Sequence, residues 1–382
     1  MLLKNIKVEK DTNEIIKDKN RNINLDILKG IGIISVLIGH IGNKVSGSFV
    51  YTYHMAIFFF VSAYLYNEEK YGDKPLEYLI KRIRGMWGKY VFFSIVLISL
   101  HNVLNKFKFY PPYIKNYSID NWLVKVLNSL LFNAEDVALG TLWFVPTLIL
   151  ALGVFGTVVY LSKKMSIIIC KKCKAEDNSN IELIKKLLIV LISIILGSLG
   201  VYLNINNLSL LYRFHTSFVV IPICTMGYFF KLYKNIIKEQ YKIIISIILL
   251  FITYIIIWNL TNKKGLSIDL YSNKIVNFST FYIVSFIGIL FCISLGNIIS
   301  KIKPINNVIA LIGKYSFYIM ALHYICFKLV DVIYSNIIGD TNIWRTTAVF
   351  VAYPNNLWPL YIVIGCSIPL IIGFLYEGSI KK

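Results

Sequence analysis

Apolar stretches of about twenty residues follow one another along almost the whole chain, separated by short polar segments. Their length and periodicity predict membrane-crossing helices at approximately 25–44, 48–66, 87–105, 141–162, 183–203, 214–232, 241–260, 278–300, 308–334 and 357–377. The second is short and aromatic-rich, and the ninth is long enough to tilt or protrude. The fold class is thus all-α, a polytopic membrane bundle of about ten transmembrane helices filling residues 25–377. A polar, Lys-rich segment, 1–24, precedes it without the apolar core of a cleavable signal, and a short tail, 378–382, follows. No internal repeat or appended globular domain is evident.

Composition supports this reading: 57% of the 382 residues are hydrophobic, only 16% are charged, and the mean hydropathy is +0.65. A net charge of +20 invites a nucleic-acid partner. Here, however, Lys and Arg lie between apolar runs, so no nucleic-acid role is expected, and the charge is a topology signal. Of the basic residues, 28 fall in the N-terminal segment and the segments that alternate with it, 10 fall in the intervening ones, and Lys29 and Lys328 lie within helices. This asymmetry predicts cytoplasmic termini, with Lys29 near the cytoplasmic face and His40 toward the opposite one. The outer segment 106–140 is long enough to cover a site from outside. Six cysteines suggest no disulfide framework, and the single C-x-x-C pair, Cys170 and Cys173, lacks a second pair of ligands, so no metal site is expected.

The candidate chemistry lies in the first helix. Asp26, Lys29 and His40 share nearly one stripe: Lys29 and His40 are eleven positions apart, an offset of about 20° and a rise of roughly 16 Å. Ionisable groups in hydrocarbon are expensive and usually face a bundle interior or a wet cavity. Two readings stand for Lys29. It pairs with Asp26 and anchors the helix, or it meets the phosphates of a ligand arriving from the cytoplasm. Arg82 and Arg84, before the third helix, would add charge to that donor-binding end, although topology alone also accounts for them.

Reversal after a short Gly/Ser-rich turn brings His54 to a depth similar to that of His40, so two imidazoles stand where a hydroxyl proton could be accepted. The plainer alternative places His54 at the headgroups, bonded to water. His323, about nine residues past Lys314, is deep enough to require a partner and is read as lining the central cavity, the alternative being a plain interhelical hydrogen bond. Trp143 is either a membrane anchor or a stacking platform for a sugar ring. Glu135 and Asp136 are either solvated loop carboxylates or part of an acceptor site. His101 and His215 lie nearer helix ends and have the weaker case.

Asn24-Leu25-Asp26-Ile27-Leu28-Lys29-Gly30-Ile31-Gly32-Ile33 running to Gly39-His40, followed by Tyr53-His54-Met55-Ala56-Ile57-Phe58-Phe59-Phe60-Val61-Ser62, resembles the acyltransferase-3 family, most of all its branch similar to fucose 4-O-acetylases. Leu142-Trp143-Phe144-Val145-Pro146 and Lys314-Tyr315-Ser316 through His323 fit the same family in order. The resemblance implies a multi-pass enzyme of the bacterial plasma membrane. It would use cytoplasmic acyl-CoA, usually acetyl-CoA, to O-acylate an extracytoplasmic cell-surface glycan or lipid-linked sugar. The family's basic residue, ten intervening residues and histidine map onto Lys29 and His40. Several members have Arg where this chain has Lys29. The usual Ser-Gly is Ser62-Ala63 here, and Gly85 and Lys89 stand where Arg and Pro are frequent.

On this reading His40 accepts the proton of a sugar hydroxyl attacking the thioester, or carries the acetyl group transiently. A transporter or flippase for a glycan precursor is the rival, since buried charges in a helical bundle also suit translocation, but no paired, Gly/Pro-broken helices mark corresponding halves.

Overall fold

The computed structural model describes residues 22–42, 44–174, 177–233, 239–339 and 351–380. Residues 1–21 of the expected N-terminal segment and 381–382 of the tail lie outside them. Helix α1, Ile23–Ile41, opens on Asn22, whose side chain accepts from the Asn24 and Leu25 N–H groups, and closes on Gly42 with φ +79°. Next come α2, Lys44–Tyr51; α3, Ala56–Tyr64; α4, Glu68–Tyr71; α5, Pro75–Lys106; and α6, Ile119–Leu130. The long helices α7, Phe144–Lys172, and α8, Asn178–Ile205, precede the pair α9, Phe214–Val219, and α10, Ile221–Tyr233. The series ends with α11, Glu239–Trp258; α12, Phe278–Ile299; α13, Lys303–Lys314; α14, Ser316–Ile338; and α15, Trp358–Ile380.

Among the described residues, eight helices are long and apolar enough to cross a membrane. A ninth span arises if α9 and α10, bent by 51° at Val220, are counted as one. The expected second span is the one that fails, because a turn at Thr52–Met55 divides it into α2 and α3. The expected ninth span is broken at Tyr315, which separates α13 from α14. The first of these breaks borders the site described below. The connection after α5 contains the amphipathic helix α6, whose exposed Ile119, Leu123, Val124 and Leu127 suit the plane of a membrane interface.

The most intimate packing joins α1 to α13. A Cβ on Gly313 would lie 1.8 Å from the Asp26 carbonyl oxygen, and one on Gly30 would lie 2.2 Å from that of Ile309. Only glycine permits the two backbones to approach this closely. Two of the three apolar clusters include residues of α1, and Met320 at the start of α14 packs against all three. The periphery is apolar too: α11 exposes Ile244, Ile248, Phe251 and Ile255, as a lipid-facing helix does.

Candidate active site

His40 stands in the last turn of α1 and lines a cavity of about 310 Å³. Ile33, Val36, Met55 and Phe58 form its apolar part, and Tyr51, Trp143, Tyr271 and Tyr324 its aromatic walls. His54, Thr141, Asp269 and Ser272 supply further polar groups. The break between α2 and α3 carries Tyr51, His54 and Met55 into this space.

His40 Nδ1 lies 2.8 Å from His323 Nε2, and the two rings are nearly parallel, at 7°, with centroids 5.1 Å apart. The other nitrogen of His323, Nδ1, faces the carbonyls of Ile319 at 2.9 Å and Met320 at 3.0 Å. A carbonyl only accepts, so His323 Nδ1 carries hydrogen; in the neutral ring Nε2 then accepts, and His40 Nδ1 donates. The bonding thereby assigns the tautomer of His40 and leaves its Nε2 with a free lone pair for the cavity. His323 is therefore not the lining residue expected: it is wholly buried and supports His40 from behind through an interhelical hydrogen bond. Tyr324 packs against both rings, with centroids 5.0 Å from His40 and 4.6 Å from His323.

His54 lines the same cavity as His40, with Nδ1 donating to the Val50 carbonyl at 3.0 Å and Tyr51 edge-on to its ring. Trp143 forms a wall. The structure does not bring the remaining candidates here. Lys29 pairs with Asp26 at 3.3 Å, four residues below Ile33, the lowest α1 residue in the lining. Arg82 lies over the Tyr78 ring at 4.9 Å, whereas Arg84 is exposed beside Lys81 and Tyr71 in a separate basic groove. Glu135 is exposed, and its main-chain oxygen accepts from Lys125.

Asp136 belongs to a second, closed cluster that ties the connection after α5 to the bundle. It accepts from His101 Nδ1 at 2.6 Å, the Tyr117 hydroxyl at 2.7 Å and the Ala138 N–H at 2.8 Å. Burial pushes its carboxyl up, but the hydrogen bonds from His101, Tyr117 and Ala138 outweigh that effect and hold it below the usual carboxylate range. Of the outer segment 106–140 expected to cover the site, Gly140 alone lines the cavity, whereas Asp269, Tyr271 and Ser272, between α11 and α12, line it together.

Sequence reasoning passed over Asp269, Tyr271 and Arg213. The Asp269 carboxylate accepts from the Tyr271 N–H at 2.8 Å and the Ser272 hydroxyl at 2.5 Å. Arg213 Nη2 donates to the carbonyls of Leu270, at 3.2 Å, and Tyr271, and to Asn273 Oδ1 at 3.3 Å. Its guanidinium also lies 5.1 Å from the Trp143 ring centroid and 4.9 Å from that of Tyr271. Nothing in the spacing of 260–277 announces a cavity cover. The one available signal is that Arg213 is the lone basic residue of its segment between α8 and α9.

No curated protein and no solved structure matches the chain. The acyltransferase domain family Acyl_transf_3 matches residues 22–377, which include α1, the cavity and both histidines. A multi-pass helical bundle whose sequence matches that family over nearly its whole length identifies this chain as a member of the acyltransferase-3 family of membrane acyltransferases.

Proposed function

We propose that the chain is an O-acetyltransferase of the bacterial plasma membrane that moves an acetyl group from cytoplasmic acetyl-CoA to a hydroxyl of an extracytoplasmic cell-surface carbohydrate. The observation that carries this reading is the His40–His323 hydrogen bond, which leaves one basic nitrogen directed to a cavity with aromatic walls. Family membership supports it over the transporter alternative.

In this mechanism the acceptor hydroxyl lies against His40 Nε2, which takes its proton as the oxygen attacks the thioester carbonyl. The C–S bond then breaks, and the imidazolium returns the proton to the departing thiolate. His323 keeps its hydrogen bond to His40 Nδ1 throughout and so prevents the ring from turning or changing tautomer, as the orienting member of a triad does. Trp143 and His54 hold the acceptor. The donor's nucleotide end docks on the basic side near Lys29, Arg82 and Arg84, and its narrow arm reaches His40 past Ile33 and Phe58. The concentration of Lys and Arg in alternate segments supports placing that side in the cytoplasm.

The test is incubation of purified protein with radiolabelled acetyl-CoA and candidate glycans. Covalent label on the glycan is expected from the parent protein and none from His40→Ala, which should still insert and accumulate. Full activity of His40→Ala removes His40 from the chemistry, and glycan movement without label supports the transporter.

A further inference from the structure

We propose that the cavity beside His40 seats an uncharged sugar ring whose hydroxyls are recognised by Asp269, and that it rejects sugars bearing an acid group. This rests on the acyl-transfer reading above and adds to it the class of acceptor.

The volume, about 310 Å³, is at the lower end of small-ligand sites and suits one sugar residue rather than a longer stretch of polymer. Tyr51, Trp143, Tyr271 and Tyr324 present the broad apolar surfaces on which the C–H face of a sugar packs. With its histidines neutral, the described lining has one formally charged side chain, Asp269. Its carboxylate has about four lone-pair positions, of which the Tyr271 N–H and the Ser272 hydroxyl take two. The remaining positions accept from sugar hydroxyls. A carboxylate or phosphate on the ligand would instead meet a like charge in a partly enclosed, poorly screened space.

Arg213, close behind this cover, interacts electrostatically with Asp269 but is not part of the lining, so Asp269 is the charged group that a ligand in the recess touches. The Nη2 of Arg213 is committed to Leu270, Tyr271 and Asn273, and its plane lies near the Trp143 and Tyr271 rings. Tyr212 and Arg213 hold consecutive left-handed conformations, φ +52° and +56°, which non-glycine residues adopt only when their surroundings impose them. Arg213 is thus a positioning residue: it holds the segment carrying Asp269 and Tyr271 over His40.

Two probes of matched shape, para-nitrophenyl glucoside and para-nitrophenyl glucuronide, test the inference. Their binding to the full-length protein is measured by calorimetry without donor, and their acetylation is measured with acetyl-CoA. The glucoside is expected to bind at least tenfold more tightly and to be the preferred acceptor. Asp269→Asn, which keeps the size of the side chain and an acceptor for the Tyr271 N–H, is expected to bring the two affinities within about threefold. If that variant does not accumulate, Asp269→Glu, which retains the charge, is expected to keep the rejection of glucuronide. Equal binding of the probes by the parent protein, or a ratio unmoved by Asp269→Asn, overturns the inference and leaves acyl transfer standing. Selective binding without acetylation of either probe overturns the acyl-transfer reading instead.

Discussion

His40 and His323, 283 positions apart in the chain, are joined by a 2.8 Å hydrogen bond that fixes which nitrogen of His40 is free. The bond makes His323 testable as an orienting group rather than a packing residue. His323→Ala is expected to lower kcat by about 10–100-fold with little change in either KM, because it removes support for the base without touching a substrate. His323→Gln, whose side-chain oxygen can accept from His40 Nδ1, is expected to recover part of that loss. Steady-state kinetics decide: a loss confined to KM, or equal kcat in the two variants, counts against an orienting role.

The ion pair at the other end of α1 separates the two readings of Lys29. If it serves the donor, Lys29→Ala raises the Kd for acetyl-CoA by about tenfold, as loss of one charge-assisted contact does, and Lys29→Arg raises it less. Calorimetric titration with acetyl-CoA gives both values. Equal donor affinity in the parent and the two variants leaves Lys29 as the partner of Asp26 alone.

The Asp136 cluster predicts an acid-sensitive contribution to stability. A carboxyl held below its unfolded value of about 3.9 stabilises the fold at higher pH and loses that contribution as pH falls through its lowered native value. Thermal midpoints measured from pH 7 down to pH 3 are expected to favour the parent protein over Asp136→Asn near neutrality. The gap should narrow below about pH 4. A gap that stays constant over this interval means that the ionised form is not what the cluster stabilises.

Close approach of α1 and α13 sets a steric limit. Gly313→Ala is expected to cost about 1–3 kcal/mol, since the added methyl must displace the Asp26 carbonyl. Gly85→Ala is the control: no atom lies within 4 Å of a Cβ there, so the change should be neutral or slightly stabilising. Thermal unfolding in detergent compares them, and similar midpoints would show that the helices can separate without penalty.

The bundle and its deepest polar groups were legible in the sequence because hydrocarbon penalises backbone and charge strongly enough to leave a periodic record. Asp26, Lys29 and His40 could be placed by helical arithmetic alone, and the depth of His323 demanded a partner. That the partner is His40 could not be read, since pairing across 283 positions depends on how α1 and α14 cross. The turn at Thr52–Met55 was hidden because the residues on both sides of it are apolar enough to continue a span. Asp269 and Tyr271 left no pattern, being ordinary residues of a polar connection until Arg213 holds them over the cavity. Asp136 reads in the sequence as a solvated or acceptor-site carboxylate, but hydrogen bonds from His101, Tyr110, Tyr117 and Ala138 draw it into a separate cluster.

Placing His40 in the final turn of α1, just before Gly42 ends the helix, has an electrostatic consequence. The peptide dipoles of a helix sum to a partial negative charge at its C-terminal end, and their influence is felt within the last turn. A proton taken up by His40 during transfer would therefore become a cation where the main chain already favours one, with an imidazole rather than a carboxylate hydrogen-bonded to its ring. The helix terminus would do for the reacting ring what an acidic partner does in a serine hydrolase, while a second imidazole takes over the task of aiming it.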